Sequence, residues 1–434
     1  MKQTLQLGAI SGANIVSAVL FQWLLLTMLG PGVESDALFA GLTIPQLFST
    51  VVSSSLTHVL VPLLAGEDAD SQRRDTWTLM ALCTALFAAL SLLLVATASW
   101  WAPWTVAGFS AEGKVLTTQF AQISVIGMTF AGINAVQIAY GYARGRYIWA
   151  DGAPMTANII ALGLLILLLP RYGAIAAAWI SVGRLIFQTL LLMRGMGAPA
   201  HPDFSTALIG EAWARMKPLL LGASYYKMDP LVDRYLLSSL LPGTLSIFYL
   251  AQQLYAAASQ VVVKALAVPA ITRLAIAYKA GDAAEFARDL RRTTAIMTGV
   301  GVFLIACLVV VGQPILRLML EHGKFQASDS RLLWLILVLS CGQFIWGALG
   351  SMLAGAFYAR GDTRTPTWLG SLSFTIGIGV KILMFSYYGV YGLAIAVSVY
   401  FFMSVAMLLR SLYRHGALNG SKLATRAVES RLDG

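Results

Sequence analysis

The sequence predicts an all-α membrane protein that crosses the bilayer about twelve times, in two six-helix lobes related by a pseudo-twofold axis along the membrane normal. Three observations predict it. Of 434 residues, 58% are apolar and only 12% charged, with a mean hydropathy of +0.73, against roughly 25% charged residues in an ordinary soluble domain. Apolar runs of about 20 residues, long enough to span a ~30 Å hydrocarbon core, recur about twelve times. The halves also resemble each other at a nearly constant offset.

The runs of the first half are residues 8–29, 37–64, 77–100, 118–142, 154–169 and 172–193. The first is too long for the ~7–15-residue apolar core of a secretion leader, and Gly30-Pro31-Gly32 is no small-x-small cleavage site, so it is a span. In the second half the runs are 219–240, 244–266, 294–320, 332–358, 367–387 and 391–412. This gives a first lobe over 1–194, a linker over 195–217, a second lobe over 218–413 and a tail over 414–434. Gly195, Gly197, Pro199 and Pro202 break the linker early, and 211–217 suits a short surface helix. Residues 273–292 read as another helix outside the bilayer.

Repeated fragments support the two lobes. Leu29-Gly30-Pro31-Gly32 is echoed by Leu240-Leu241-Pro242-Gly243, and Val61-Pro62 by Val268-Pro269. Gly141-Tyr142-Ala143-Arg144-Gly145 is echoed by Phe357-Tyr358-Ala359-Arg360-Gly361, and Arg171-Tyr172-Gly173 by Tyr387-Tyr388-Gly389. Their offsets stay within about 207–216 positions. An even number of spans per half gives both repeats the same orientation.

The formal net charge of +10 is a topology signal and not a nucleic-acid footprint. Lys and Arg fall on alternate loops, about 20 on one side against about five on the other, so both termini are expected in the cytoplasm. Cys83, Cys307 and Cys341 each sit inside an apolar run and read as packing residues. No metal-ligand spacing, nucleophile elbow or phosphate-cradling glycine loop occurs, so neither a cofactor nor enzymatic activity is expected.

The functional candidates are the polar groups inside spans. Residues 225–269 carry Lys227, Asp229, Asp233, Arg234, Gln252, Gln253, Gln260 and Lys264. A charge in hydrocarbon costs about 3 kcal/mol or more, so these groups should face a partner or a wet cavity. On continuous helices, Lys227 and Arg234, Asp229 and Asp233, and Gln253, Gln260 and Lys264 would each share a face, with Pro230 bending the first rod. Arg184 and Lys381 complete the intramembrane bases. Bases outnumber acids, which favours an anionic cargo. The alternative, that Lys227, Asp233 and Arg234 only lock two helices together, stays open. Asn14, Asn134, Gln137, Tyr225 and Tyr255 are further polar candidates, each equally consistent with packing. His58 reads as a hydrogen-bonded structural histidine.

Glu321-His322-Gly323-Lys324-Phe325-Gln326-Ala327-Ser328-Asp329, and Ala356 through Phe357-Tyr358-Ala359-Arg360-Gly361-Asp362-Thr363-Arg364-Thr365-Pro366, resemble the MviN/MurJ family. That is the lipid II flippase branch of the multidrug/oligosaccharidyl-lipid/polysaccharide (MOP) exporters, whose fold is MATE-like. Asp233-Arg234 through Pro242-Gly243 and Tyr249, and Ser35-Asp36-Ala37-Leu38-Phe39 with Ile44-Pro45, add to the likeness.

The resemblance implies an alternating-access flippase of the bacterial inner membrane, moving a polyprenyl-diphosphate-linked oligosaccharide and meeting membrane lipids and glycan polymerases or glycosyltransferases as partners. It places Asp36 at the periplasmic mouth and makes Lys227, Arg234, Lys264 and Arg184 candidates for the diphosphate, with Gln253 and Gln260 for sugars. Asp229, Asp233 and Lys381 become candidates for coupling. Lys381 stands where the family often has a sodium-site Asn or Asp, and its ammonium is expected to act as a tethered cation paired with Asp229 or Asp233. The chain departs from the pattern at the first-helix arginines, replaced near Ile15 and Phe21, at a neighbouring acid, now Gln22, and at the eighth-helix arginine, now Gln253. A charged pair of the second helix is replaced by the Ser/Thr-rich run 49–57, and the last two helices of the pattern have no counterpart. These departures favour an exopolysaccharide repeat unit over peptidoglycan lipid II. A MATE-type drug or cation antiporter is the alternative function.

Overall fold

The computed structural model describes residues 2–65, 68–204 and 207–414; the tail from 415 lies outside them, as do the side chains of 2–5, Ser53, Ser54, His58, 69, 207–208, 218–219, 221–224 and 226. Among the described residues every regular element is a helix. Among the described residues eight helices are long and apolar enough to cross a membrane, or nine when one bent pair counts as a single span.

The first unit comprises residues 1–249 together with His322–Phe325. It contains α1 (Lys2–Leu29), α2 (Val33–Leu64), α3 (Ala69–Ala96), α4 (Ala98–Thr105), α5 (Ala111–Ala143), α6 (Tyr147–Met193), α7 (Ala207–Tyr226), α8 (Asp229–Leu237) and the start of α9 (Thr244–Val262). Helix α5 is its centre, packed on α2, α3 and α6. Small residues make that possible, because lipid tails give apolar helices no reason to associate and close backbone approach must supply the contact. A Cβ at Gly132 would lie 2.6 Å from the Phe87 ring. Leu56, Leu60, Phe87, Val125, Met128 and Tyr140 fill the core.

The second unit holds the rest of α9, a π-helical turn (Val263–Ala267), α10 (Val268–Ala280), α11 (Ala283–Leu320), α12 (Ala327–Leu339), α13 (Cys341–Ala359) and α14 (Arg364–Arg414). Its core is built on α13, with Leu274, Phe286, Met297, Leu349, Met352 and Phe357 fully or almost fully buried. Helices α12 and α13 bend by 43°. At the bend, Ser340 Oγ bonds back to the Ile336 carbonyl and Ser398 Oγ accepts the Gly342 N–H at 3.0 Å, which opens the helical ladder. The two units divide within α9.

The internal repeat is visible in backbone torsions. Helices α6 and α14 have 47 and 51 residues, about 70–77 Å at ~1.5 Å per residue, more than twice the hydrocarbon core. Each is two arms joined at a glycine, Gly173 (φ 60, ψ −151) and Gly389 (φ 56, ψ −134). That region is essentially closed to other residues. Counting the arms separately, about eleven spans result, and the remaining expected span, 219–240, is interrupted.

Two local expectations are corrected. Residues 219–240 are not one helix: α7 ends at Tyr226 and α8 begins at Asp229, with Pro230 in its first turn. Proline lacks the N–H an interior position needs but fits a helix start. Lys227 and Arg234 therefore do not share a helix face. Residues 273–292 are likewise two helix ends, split where Gly281 closes α10 at φ 75 and Asp282 caps α11 by accepting the Glu285 N–H at 2.8 Å. Residues 211–217, expected as a short helix, lie within the 20-residue α7.

Candidate functional site

Three polar clusters occupy the first unit. The first joins the starts of α2 and α9. Asp36 is 2% exposed, and its Oδ2 and Oδ1 accept the backbone N–H groups of Gly243 at 2.6 Å and Ser246 at 2.7 Å. Ser35 and Ser246 hydroxyls lie 3.2 Å apart beside them. A helix start leaves N–H groups without partners and carries a positive partial charge, so a carboxylate satisfies both. The residue the resemblance placed at a mouth is thus a cap supplied from another helix.

Arg234 organises the second cluster and is 4% exposed. Its guanidinium lies 4.7 Å from the Tyr249 ring centroid and its Nε donates to Thr43 Oγ1 at 3.3 Å. Tyr249 stacks on Phe39 at 4.4 Å and its hydroxyl donates to Gln46 at 3.2 Å. Desolvated cation–π contacts of this kind contribute about 2 kcal/mol. Asp233, next in sequence, is buried as well.

The third cluster is a chain of side-chain bonds inside α1 and α6. Arg184 Nη1 donates to Asn158 Oδ1 at 2.7 Å, Asn158 Nδ2 to Asn14 Oδ1 at 3.2 Å, and Asn14 Nδ2 to the Asp151 carbonyl at 3.3 Å. Arg184 and Asn158 line a cavity of about 110 Å3 with Ser17, Gln22, Gln46, Ser181 and Tyr249, and among the described residues no carboxylate is in its walls. Gln22 Oε1 is buried there without a hydrogen-bond partner. Tyr249 therefore has Arg234 against its ring and faces the cavity that Arg184 also lines.

The other candidates are placed as follows. Lys227 is half-buried in the break between α7 and α8, and Asp229 opens α8. In the second unit Gln253 is half-buried, Gln260 is exposed, and Lys264 is exposed within the π turn. π turns inside α-helices recur at functional sites. Lys381, in the first arm of α14, is completely buried. Tyr255 is buried, its hydroxyl donating to the Leu337 carbonyl and its ring stacked on Phe344 at 6.1 Å. Asn134 and Gln137 bond to the α6 backbone and are packing residues.

Sequence reading missed Thr43, Gln46 and Asn158. Asn158 had a weak signal: it lies fifteen residues before Gly173 and Arg184 eleven after it, which brings them within about one helical turn of each other across the joint.

The motif that carried the resemblance is structural at both ends. Lys324 donates its N–H to the Thr27 carbonyl of α1 at 2.8 Å, and Gly323, at φ 66, leaves no room for a side chain against that carbonyl. Arg360 ends α13, Gly361 turns at φ 78, and Asp362 caps α14 by accepting the Thr365 N–H at 3.0 Å.

A protein-family model described as lipid II flippase MurJ matches residues 25–431. The chain is 23% identical over 412 residues to a probable lipid II flippase MurJ of Vibrio cholerae serotype O1, covering 90% of this chain and 78% of that protein. It is 23% identical over 432 residues to the counterpart in Rhizobium tropici, covering 95% and 80%. Among solved structures, a lipid II flippase MurJ in an inward closed conformation matches with a TM-score of 0.83 at 18% identity, over 94% of this chain and 87% of that one. An inward-facing MATE multidrug-resistance transporter of the MOP superfamily matches at 0.76 and 14% identity, over 93% and 95%. The fold is that of the MOP transporters, and the family model extends over nearly the whole length: this multi-pass membrane protein belongs to the lipid II flippase MurJ family.

Proposed function

We propose that this protein is an alternating-access flippase that carries a polyprenyl-diphosphate-linked oligosaccharide across a bacterial inner membrane, with both termini in the cytoplasm. The observation that carries the reading is the family match over residues 25–431. The polar groups fit an anionic headgroup: Arg184 lines a cavity whose polar walls are amides and hydroxyls, with no acid among the described residues that line it, and Lys227 is half-buried and Lys264 exposed. Fixed cations in a low-dielectric site offset the loss of water from a diphosphate. Gln253 and Gln260 would meet sugars. Arg234 holds Tyr249 at the wall, and Asp36, Asp229, Asp233 and Lys381 bear on gating and coupling.

The glycan we favour is an exopolysaccharide repeat unit over peptidoglycan lipid II, because Ile15, Phe21, Gln22 and Gln253 stand where the family pattern has charged residues. Lys381 supplies a built-in cation at the place of the sodium site in that pattern, so transport should continue without sodium.

Reconstitution into liposomes tests both levels. A lipid-linked repeat unit added to one leaflet should reach the other in sodium-free buffer, faster than lipid II does. Faster movement of lipid II would restore the peptidoglycan substrate. Absence of any lipid-linked glycan movement, with export of cationic drugs instead, would overturn the reading in favour of an antiporter.

A further inference from the structure

The two arms of α6 line a groove of about 600 Å3. Ile160, Leu164 and Leu168 face it from the first arm and Ile175, Trp179 and Phe187 from the second. Several of these are exposed, Trp179 by half of its surface. Arg184 also lines the groove, and it lines the polar cavity as well, so the two spaces share this one cation.

We propose that this groove holds the hydrocarbon chain of a lipid in transit, with the lipid's phosphate at Arg184. The identity of that lipid as the polyprenyl carrier rests on the function proposed above; occupancy of the groove by a lipid chain does not.

Depth makes the case. Arg184 lies eleven residues beyond Gly173, about 16 Å along its arm, near the middle of a ~30 Å hydrocarbon core. A guanidinium there is costly unless something compensates it. Its side-chain hydrogen bond is to the neutral Asn158, and among the described residues no carboxylate lies within salt-bridge distance of it. An apolar trough meeting an uncompensated cation complements a long chain that bears an anion. A resident phospholipid keeps its phosphate at the membrane surface, about 15 Å away. Only a lipid being carried across brings its phosphate to this depth. The adjoining cavity of about 110 Å3, roughly the share of three or four waters, accepts a phosphate and not an oligosaccharide. The sugars must therefore lie elsewhere.

The test uses full-length protein in phosphatidylcholine nanodiscs with a photoactivatable polyprenyl phosphate. Crosslinks should map to residues 160–187. Unlabelled polyprenyl phosphate should compete, whereas polyprenol, phosphatidylglycerol and inorganic diphosphate should not. Arg184→Gln should weaken labelling about tenfold, the scale of one charge-assisted hydrogen bond. Gly183→Phe fills the groove from a position with open space around its Cβ and should abolish labelling; Gly163→Phe, equally unobstructed but outside the groove, should not change it. Leu164→Trp is the second plug should Gly183→Phe fail to elute as a folded, monodisperse protein.

Crosslinks elsewhere, equal competition by phosphatidylglycerol, competition by free diphosphate, or undiminished labelling of both plugged variants would each overturn the inference. A parallel flipping assay separates it from the broader reading. Labelling without glycan movement sinks the proposed function and leaves the groove. Glycan movement unaffected by plugs that also label normally sinks the groove alone.

Discussion

Asp36 Oδ1 accepts the backbone N–H of Ser246 at 2.7 Å across 210 residues of chain. Its other oxygen takes the Gly243 N–H, so the first turn of α2 finishes the start of α9. Asp36→Ala leaves two buried N–H groups without an acceptor and is expected to cost about 2–3 kcal/mol, and Asp36→Asn, which retains one acceptor, about 1 kcal/mol. Thermal unfolding in detergent and amide exchange at 243–246 measure both. An Asp36→Ala variant that melts with the wild type would show that the cap contributes nothing.

Arg234 and Lys264 should separate stability from transport. Arg234 is sealed between Tyr249 and Thr43, and Arg234→Gln is expected to lose about 2–4 kcal/mol through the ring contact and its buried partners. Lys264→Ala, at an exposed site, should stay within about 0.5 kcal/mol of the wild type yet slow glycan movement severalfold. Equal stability loss at both positions would contradict this division.

Gly173 and Gly389 should be equally intolerant of a side chain. Alanine at either is strained at the observed torsions, by about 1–3 kcal/mol, although Gly173 has no neighbour closer than 3.7 Å to block a Cβ. Gly163→Ala, an exposed helix-interior position, should instead gain about 0.5–1 kcal/mol. Melting temperatures of the three variants decide the matter.

Asp362 gives a pH dependence. Slight burial works against its charge, but hydrogen bonds from Thr365 and Arg364 and the nearby Arg360 charge hold its carboxyl below the usual carboxylate range. A depressed folded pKa means that the cap stabilises fully above the unfolded value of about 3.9 and weakens as pH falls through the lower folded value. Exchange at the Thr365 amide should therefore be flat from neutral pH to about 5 and gain an acid-dependent opening below about 4. Asp362→Asn should remove that opening and change little at neutral pH.

The fold was largely legible because its signals are additive over long windows. Twenty apolar residues announce a span whichever way their side chains point, and the echo of Arg171-Tyr172-Gly173 by Tyr387-Tyr388-Gly389 became a pair of matching torsions. The polar clusters were less legible because they depend on which helices meet. Asp36 and Ser246, or Arg234 and Tyr249, share no pattern in the chain, and seven-residue spacing between Lys227 and Arg234 held meaning only on a helix that Pro230 in fact restarts. Arg184 was found as an odd charge in an apolar run, but its neutral partner Asn158 required the hairpin.

The π turn from Val263 to Ala267 sets the phase of everything that follows it. Nineteen steps from buried Tyr255 to buried Leu274 would leave the two about 100° apart on an uninterrupted α-helix. One surplus residue in a turn unwinds by about that amount, so Ala270, Leu274 and Ala277 come round to the side Tyr255 occupies. The helix is a screw with one thread skipped: deleting a single residue there would restore a regular α-helix and keep α10 in its seat, whereas the same deletion in the regular turns between Tyr255 and Val262 would rotate α10 by about 100°.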